Sequence, residues 1–181
     1  MKKRKIIINF LLRFFVTYFL LLAVYNFYLK QTTQEGDVFS CDPMTKTVAF
    51  QTHELAKFFG YNTYTGQHES ELSMKFFVGE VHASNIVEGC NSISIIILFL
   101  TFIIAFSGSL KATIIFGAIG TFIIYLVNIF RILILSMLMY KYPDYQYFLH
   151  SLLFPGIIYG TTFILWIIWV NKFSNLKKAK K

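Results

Sequence analysis

Charge is scarce in this chain, and acid scarcest of all. Only 14% of residues are charged, and no Asp or Glu occurs before Glu35, between Glu88 and Asp144, or after Asp144. Proline is nearly absent, with three in 181 residues. There is no Gly-rich phosphate loop, Walker motif, HExxH, internal repeat or low-complexity run, so nothing signals nucleotide or zinc-protease chemistry. What is present is apolar: 56% of residues are hydrophobic, 21 of them Phe. That balance, laid out in long uncharged runs, belongs to membrane proteins rather than soluble domains.

Four runs read as membrane spans: Ile6 to about Leu29, interrupted by Arg13; Asn91–Gly108; Ala112–Tyr140, with one charge at Arg131; and Ser151–Val170, with none. Each reaches or approaches the roughly 20 helical residues that cross about 30 Å of hydrocarbon. Helix is the default for such runs because lipid satisfies no backbone polar group. The expected fold is therefore all-α: a polytopic integral membrane protein, a four-helix transmembrane bundle with one larger extracytoplasmic segment.

The positions of the charges set an orientation. Four spans put both termini and the Ser109–Lys111 turn on one side, with Lys2, Lys3, Arg4, Lys5, Lys111, Lys172, Lys177, Lys178, Lys180 and Lys181 and no acid. The other side holds Lys30, Lys46, Lys57, Lys75 and Lys141 and all nine acids. The positive-inside rule then makes both termini cytoplasmic, in the cytoplasmic (inner) membrane. The net charge of +8 is thus a topology signal, the lipid bilayer is the expected partner, and nucleic acid is not. The opening MKKRK and its apolar run lack a small-x-small cleavage site, which reads as an uncleaved anchor, with Arg13 snorkelling to the cytoplasmic surface.

Residues 30–89 form the extracytoplasmic piece. Gly36 and Asp42-Pro43 read as turn punctuation, and residues 51–59 as an amphipathic helix with Thr52 as cap and Leu55, Phe58 and Phe59 on one side. That helix would lie on the membrane surface or cap the bundle. The periodicity of 70–89 is mixed and selects no element. His53, His68 and His82 are too far apart to suggest a metal site, so they read as loop histidines. No metal and no cofactor is called for.

Topology brings three reactive groups to one depth. Cys90 stands at the outer start of the second span, Arg131 in the outer half of the third, and His150 at the outer start of the fourth. A thiol becomes a strong nucleophile when a base takes its proton, and imidazole can return that proton to a leaving amine. Arginine stays charged and can stabilise a thiolate or an oxyanion. Together they fit acyl transfer through a thioester. Asn128, three residues before Arg131 on the same helical face, could orient the guanidinium or donate to the oxyanion. Each residue alone also has a bland reading: an inert Cys, a snorkelling Arg, an interfacial His. A Cys41–Cys90 disulfide would remove the nucleophile altogether. Gly156 and Gly160 form a GxxxG pattern that permits close helix approach, and Gly117 and Gly120 lighten the third span. Trp166, Trp169, Tyr125 and the Tyr140–Tyr147 cluster fit interfacial belts.

At EGCNSIS, VNIFRI and FLHSLLFPGIIYG the chain resembles the exosortase/archaeosortase family, most closely its short exosortase F type. The order Cys–Arg–His is that family's, and the likeness covers residues 88–170. The resemblance implies a membrane-embedded cysteine protease/transpeptidase that cleaves a C-terminal sorting signal on a protein substrate and transfers the protein to an acceptor. It implies Cys90 as nucleophile, Arg131 as transition-state stabiliser and His150 as acid/base, on the outer face. Ser92 stands where the family commonly has Gly, two residues after the cysteine; a serine there could hydrogen-bond locally. The chain is also short for the family, so any further substrate-handling part would come from an accessory membrane partner or be absent. The organisation expected is an anchor helix over 1–29, the extracytoplasmic segment over 30–89, a three-span catalytic core over 90–171 and a basic cytoplasmic tail over 172–181. The rival readings are a non-catalytic membrane component of an export or surface-assembly system, which would tolerate loss of Cys90, and a small anion transporter built on Arg131.

Overall fold

Among the described residues, three helices are long and apolar enough to cross a membrane: Ile7–Thr32, Leu110–Lys141 and Ser151–Lys172. They come from a computed structural model that describes residues 2–36, 38–106 and 108–174, giving only the backbone of Lys2, Lys3, Lys5, Ile6, Gln146, His150 and Phe154. Asp37 and residues 175–181, with Lys177, Lys178, Lys180 and Lys181 of the basic tail, lie outside the described residues. Helix α1 runs over Lys2–Thr32 and α2 over Pro43–Phe58. Strands β1 (Thr63–Gln67), β2 (Ser73–Val78) and β3 (Val81–Val87) lead through a 3-10 turn, Glu88–Cys90, to α3 (Ile93–Ala105) and α4 (Leu110–Lys141). After a 3-10 turn at Pro143–Tyr145 and the single turn α5 (Gln146–Phe148), a π-helical turn at Leu149–Leu153 opens α6 (Phe154–Lys172).

Two expectations about the elements change. The second span proves to be α3, 13 residues and so about 20 Å long at 1.5 Å per residue, short of the thickness a lone crossing needs. The all-α label also fails, because residues 63–87 form a three-stranded antiparallel sheet in the order β1-β2-β3. A two-residue turn, Gly79-Glu80, joins β2 to β3, and Gly79 supplies the φ of +60° that such a hairpin needs at its first central position. Across this pair Phe76 faces Ser84 but Phe77 faces His82, so Ala83 is an extra, unopposed residue. That bulge swings His82 onto the outer face, where it meets Phe77, which in turn meets Tyr64.

The chain divides into two compact units. One comprises Met1–Phe27, Ile93–Tyr125 and Tyr159–Lys181. Its helices bury Phe99, Ile103, Ile124 and Trp169 almost completely, while Ile7, Leu12, Phe15, Val16 and Phe19 of α1 stay exposed, as a lipid-facing helix requires. Trp169 therefore does not join an interfacial belt: it is a core residue, packed on Phe116 and Phe173 and reaching the space above Gly108. Trp166 stacks on Phe102 at 4.3 Å. The close helix approach occurs at Gly117 and Gly120, where Ile103, Leu100 and Phe99 of α3 lie against α4. At Gly156 and Gly160 an added Cβ would meet nothing within 4 Å among the described residues, so the GxxxG pattern makes no such contact. A Cβ at Gly120 would lie 2.2 Å from Phe99 Cζ, and Phe99 is fully buried. Gly120→Ala is expected to cost about 1–3 kcal/mol by overpacking, read as a lower Tm in detergent; an unchanged Tm would mean the helices can part at no cost.

The other unit comprises Tyr28–Ser92 and Leu126–Ile158, with α2 lying on the sheet. Asp42 is the N-cap of α2: its Oδ1 accepts from the Met44 and Thr45 amides at 3.0 Å each, and Pro43 takes the first helical position. Asp42-Pro43 is thus a helix start rather than a loop turn. Thr52 is no cap either, for it is buried mid-helix with Oγ1 donating to the Val48 carbonyl. The face that docks on the sheet is made of small residues, Thr45, Val48, Ala49, Thr52 and Ala56. Phe58 and Phe59, expected on the apolar side, are 82% and 54% exposed. Beneath α2 the sheet presents Met74, Phe76, Val78 and Ile86, all buried.

Candidate active site

Each candidate side chain described lies in the second unit. Cys90 ends the 3-10 turn directly after β3, is buried, and has Asn91 N–H bonded to the Glu88 carbonyl beneath it. Asn128 comes to it from α4: its Nδ2 donates to the Cys90 carbonyl at 2.6 Å, across 38 residues of sequence. Asn128 is fully buried, and its Oδ1 has no hydrogen-bond partner among the described residues. A carbonyl can only accept, so the amide nitrogen must face Cys90. Asn128 therefore grips the backbone of the cysteine, a third role beside the two expected of it. Eight residues on, Ser136 Oγ meets Ser84 Oγ of β3 at 2.7 Å, both buried. These two polar contacts pin the C-terminal half of α4 to the strand and turn that lead into Cys90.

Arg131 follows Asn128 by one helical turn and is half-buried. It stands 21 residues into α4, about 32 Å along a helix rising 1.5 Å per residue, which is one bilayer core from the start of α4. His150 falls in the π-helical turn Leu149–Leu153, a distortion often found at functional positions; its side chain lies outside the described atoms.

Ser92 adopts φ +64°, the sole non-glycine with positive φ among the described residues. This left-handed conformation carries no penalty for glycine and costs other L-residues about 1–2 kcal/mol. A glycine, which the resemblance leads one to expect at this position, would adopt it without strain. The serine compensates locally, its Oγ donating to the Asn91 carbonyl at 2.6 Å. Ser92→Gly is accordingly expected to leave Tm and turnover nearly unchanged, strain relief offsetting the lost bond. Ser92→Val, β-branched and unable to donate, should lose about 1–3 kcal/mol, and equal Tm values for the two variants would contradict the strain argument.

Sequence inspection overlooked the support behind this turn. Thr45 Oγ1 donates to Asp42 Oδ2 at 2.6 Å and accepts a longer contact from Asn91 Nδ2 at 3.4 Å, so the cap of α2 reaches the residue next to Cys90. Asp-Pro followed by an apolar-periodic run is a helix-start signal, and it was there to be read. The histidines have local partners: His53 Nδ1 pairs with Thr63 Oγ1 at 2.8 Å, His68 Nδ1 accepts from the Ser70 amide, and His82 Nε2 donates to Asn85 Oδ1. Among the described residues no three His, Cys, Asp or Glu converge as a metal site would require.

Both cysteines are free thiols. Cys41 is 2% exposed, its amide bonded to Gln67 Oε1, and burial pushes its thiol pKa up. A raised value favours the neutral thiol in the fold, so its stabilising effect holds below the ordinary thiol pKa and fades as pH rises through the raised one. Cys41 should resist a maleimide at neutral pH in the native protein and react on unfolding, as mass spectrometry of the labelled peptide would report. Rapid native labelling of Cys41 would contradict its burial.

A mostly apolar, helical protein with membrane-length helices, one of which holds the backbone of a free cysteine through a buried amide, is an integral membrane protein. The family model for transmembrane exosortases matches residues 5–170, most of the chain, and the protein belongs to that family. No curated protein and no solved structure matches it.

Proposed function

We propose that the protein is a membrane-embedded cysteine transpeptidase that cleaves a C-terminal sorting signal and passes the protein to an acceptor. The observation that carries this reading is the Asn128–Cys90 bond, which ties the EGCNSIS motif to the VNIFRI motif at the level of the thiol's own backbone. Family membership supports the same chemistry. In the mechanism, Cys90 gives its proton to His150 and attacks the scissile carbonyl carbon. Arg131 stabilises the oxyanion, the C–N bond breaks, and His150 protonates the leaving amine. The thioester then yields to an acceptor amine, hydroxyl or water, which gives a proton to His150 and bonds to the acyl carbon as the C–S bond breaks and the thiolate returns. Ser92 and Asn128 hold the turn in place.

We place the reaction on the outer face of the cytoplasmic membrane, with both termini inside. This topology needs α3, with its flanking residues, to make a fourth crossing. Three crossings would put Lys172 and the tail lysines outside and the acid-free Ser109–Lys111 turn beside the acidic segment, against the positive-inside rule. Residues 30–89 are then extracytoplasmic and 90–171 the catalytic core. The test is processing of a reporter bearing a C-terminal extended segment, apolar helix and basic tail: wild type cleaves it and Cys90→Ala does not.

A further inference from the structure

Strand β3 is an edge of the sheet, paired on one side with β2 and on the other with no strand among the described residues. None of its outward backbone groups bonds to other backbone among the described residues. At the end of the opposite strand, β1, the Gln67 side chain is tied into its surroundings, its Nε2 donating to the His68, Glu71 and Ser73 carbonyls and its Oε1 accepting from the Cys41 amide. Folded proteins guard open edges with lysine, other charges, proline or a covering element. The sequence of β3, VHASNIV, contains no charge and no proline. Val81, His82, Asn85 and Val87 along it are exposed. Its last residue stands three positions before Cys90. An unguarded, uncharged edge that ends at the thiol is arranged to receive a strand.

We propose that β3 binds the protein substrate by strand addition, an extended, uncharged segment on the acyl side of the scissile bond pairing with its free edge. The inference rests on the reading of Cys90 as nucleophile and deepens it. Main-chain hydrogen bonds give such pairing its affinity, and alternate side chains give it selectivity. His82, held against Phe77 on the outer face, offers aromatic surface to a side chain of the incoming strand. The Ala83 bulge confines regular pairing to the stretch Ser84–Val87, next to the turn that carries the thiol. The edge thereby sets the register in which a carbonyl reaches Cys90.

The test uses the full chain in membranes and a reporter made of a soluble domain, an extended uncharged segment, an apolar helix of about 20 residues and a basic tail. Prolines are walked through the extended segment, since each removes one N–H. Cleavage should fall with a period of two, at least tenfold at the sensitive positions. Asn85→Lys and Val87→Lys, both on exposed positions, should lower cleavage at least tenfold by guarding the edge while Tm stays unchanged. A photo-crosslinker at Asn85 or Val87 should capture the reporter, and one at Tyr64 on the far strand should not. Cys90-dependent cleavage with no proline periodicity, no effect of either lysine and no adduct would overturn strand addition and leave the transpeptidase reading standing. Cleavage that survives Cys90→Ala would remove both.

Discussion

Cys90→Ala is expected to abolish processing, with loss on the order of 10³-fold or more, while the variant inserts and melts as wild type does. The size follows from the covalent route: without a sulfur no thioester forms, and no neighbouring group supplies an equivalent nucleophile. Stability should barely move, because Cys90 is small and its polar support acts through its backbone carbonyl, which alanine keeps. Cys90→Ser is the more demanding control. It preserves shape, yet a hydroxyl is far harder to ionise than a thiol, so activity should remain at background. Arg131→Ala and His150→Ala should lose less than Cys90→Ala, and a thioester captured from wild type should be missing in all three at matched times. Normal processing by Cys90→Ala would sink the mechanism and favour a non-catalytic role in export or assembly.

Asn128→Ala should show the second-largest effect, and on two readouts at once. Removing a fully buried amide leaves the Cys90 carbonyl without this donor, at a cost of about 1–3 kcal/mol. The freed turn also shifts the cysteine, and a displacement of about 1 Å can lower a rate about 100-fold. Asn128→Asp separates these effects from volume. It keeps the shape but turns a carboxylate toward a carbonyl oxygen, so it should be at least as damaging as alanine. If Asn128→Asp matched wild type in Tm and turnover, the bond would have no part in holding the site.

The membrane class could be read directly, since apolar runs and lysine placement need no knowledge of packing. The ordered Cys–Arg–His set was likewise visible as three motifs. The sheet was harder. In FFVGEVHASNIV two β-rich runs flank a Gly-initiated two-residue turn, a genuine hairpin signal. The Ala83 bulge then breaks the period of two and hides it. The amphipathic reading of 51–59 followed the largest apolar residues, whereas the docked face of α2 is built of alanine, valine and threonine because helix and sheet approach closely there. Likewise Trp169 looked interfacial until Gly108 provided room to bury it.

What the sequence determined unaided is the solvent: hydropathy and charge are summed over a segment, and lipid or water responds to that sum. It also set the motifs that hold Cys90, Arg131 and His150 in order along the chain, each in or beside an apolar run. Which groups touch was decided only in three dimensions. Nothing local to Asn128 points to Cys90, because a hydrogen bond across 38 residues depends on how α4 lies against β3 and the turn after it. The conformation of Ser92 was settled in the same way: the turn between strand and helix imposes φ +64° on whichever residue stands there.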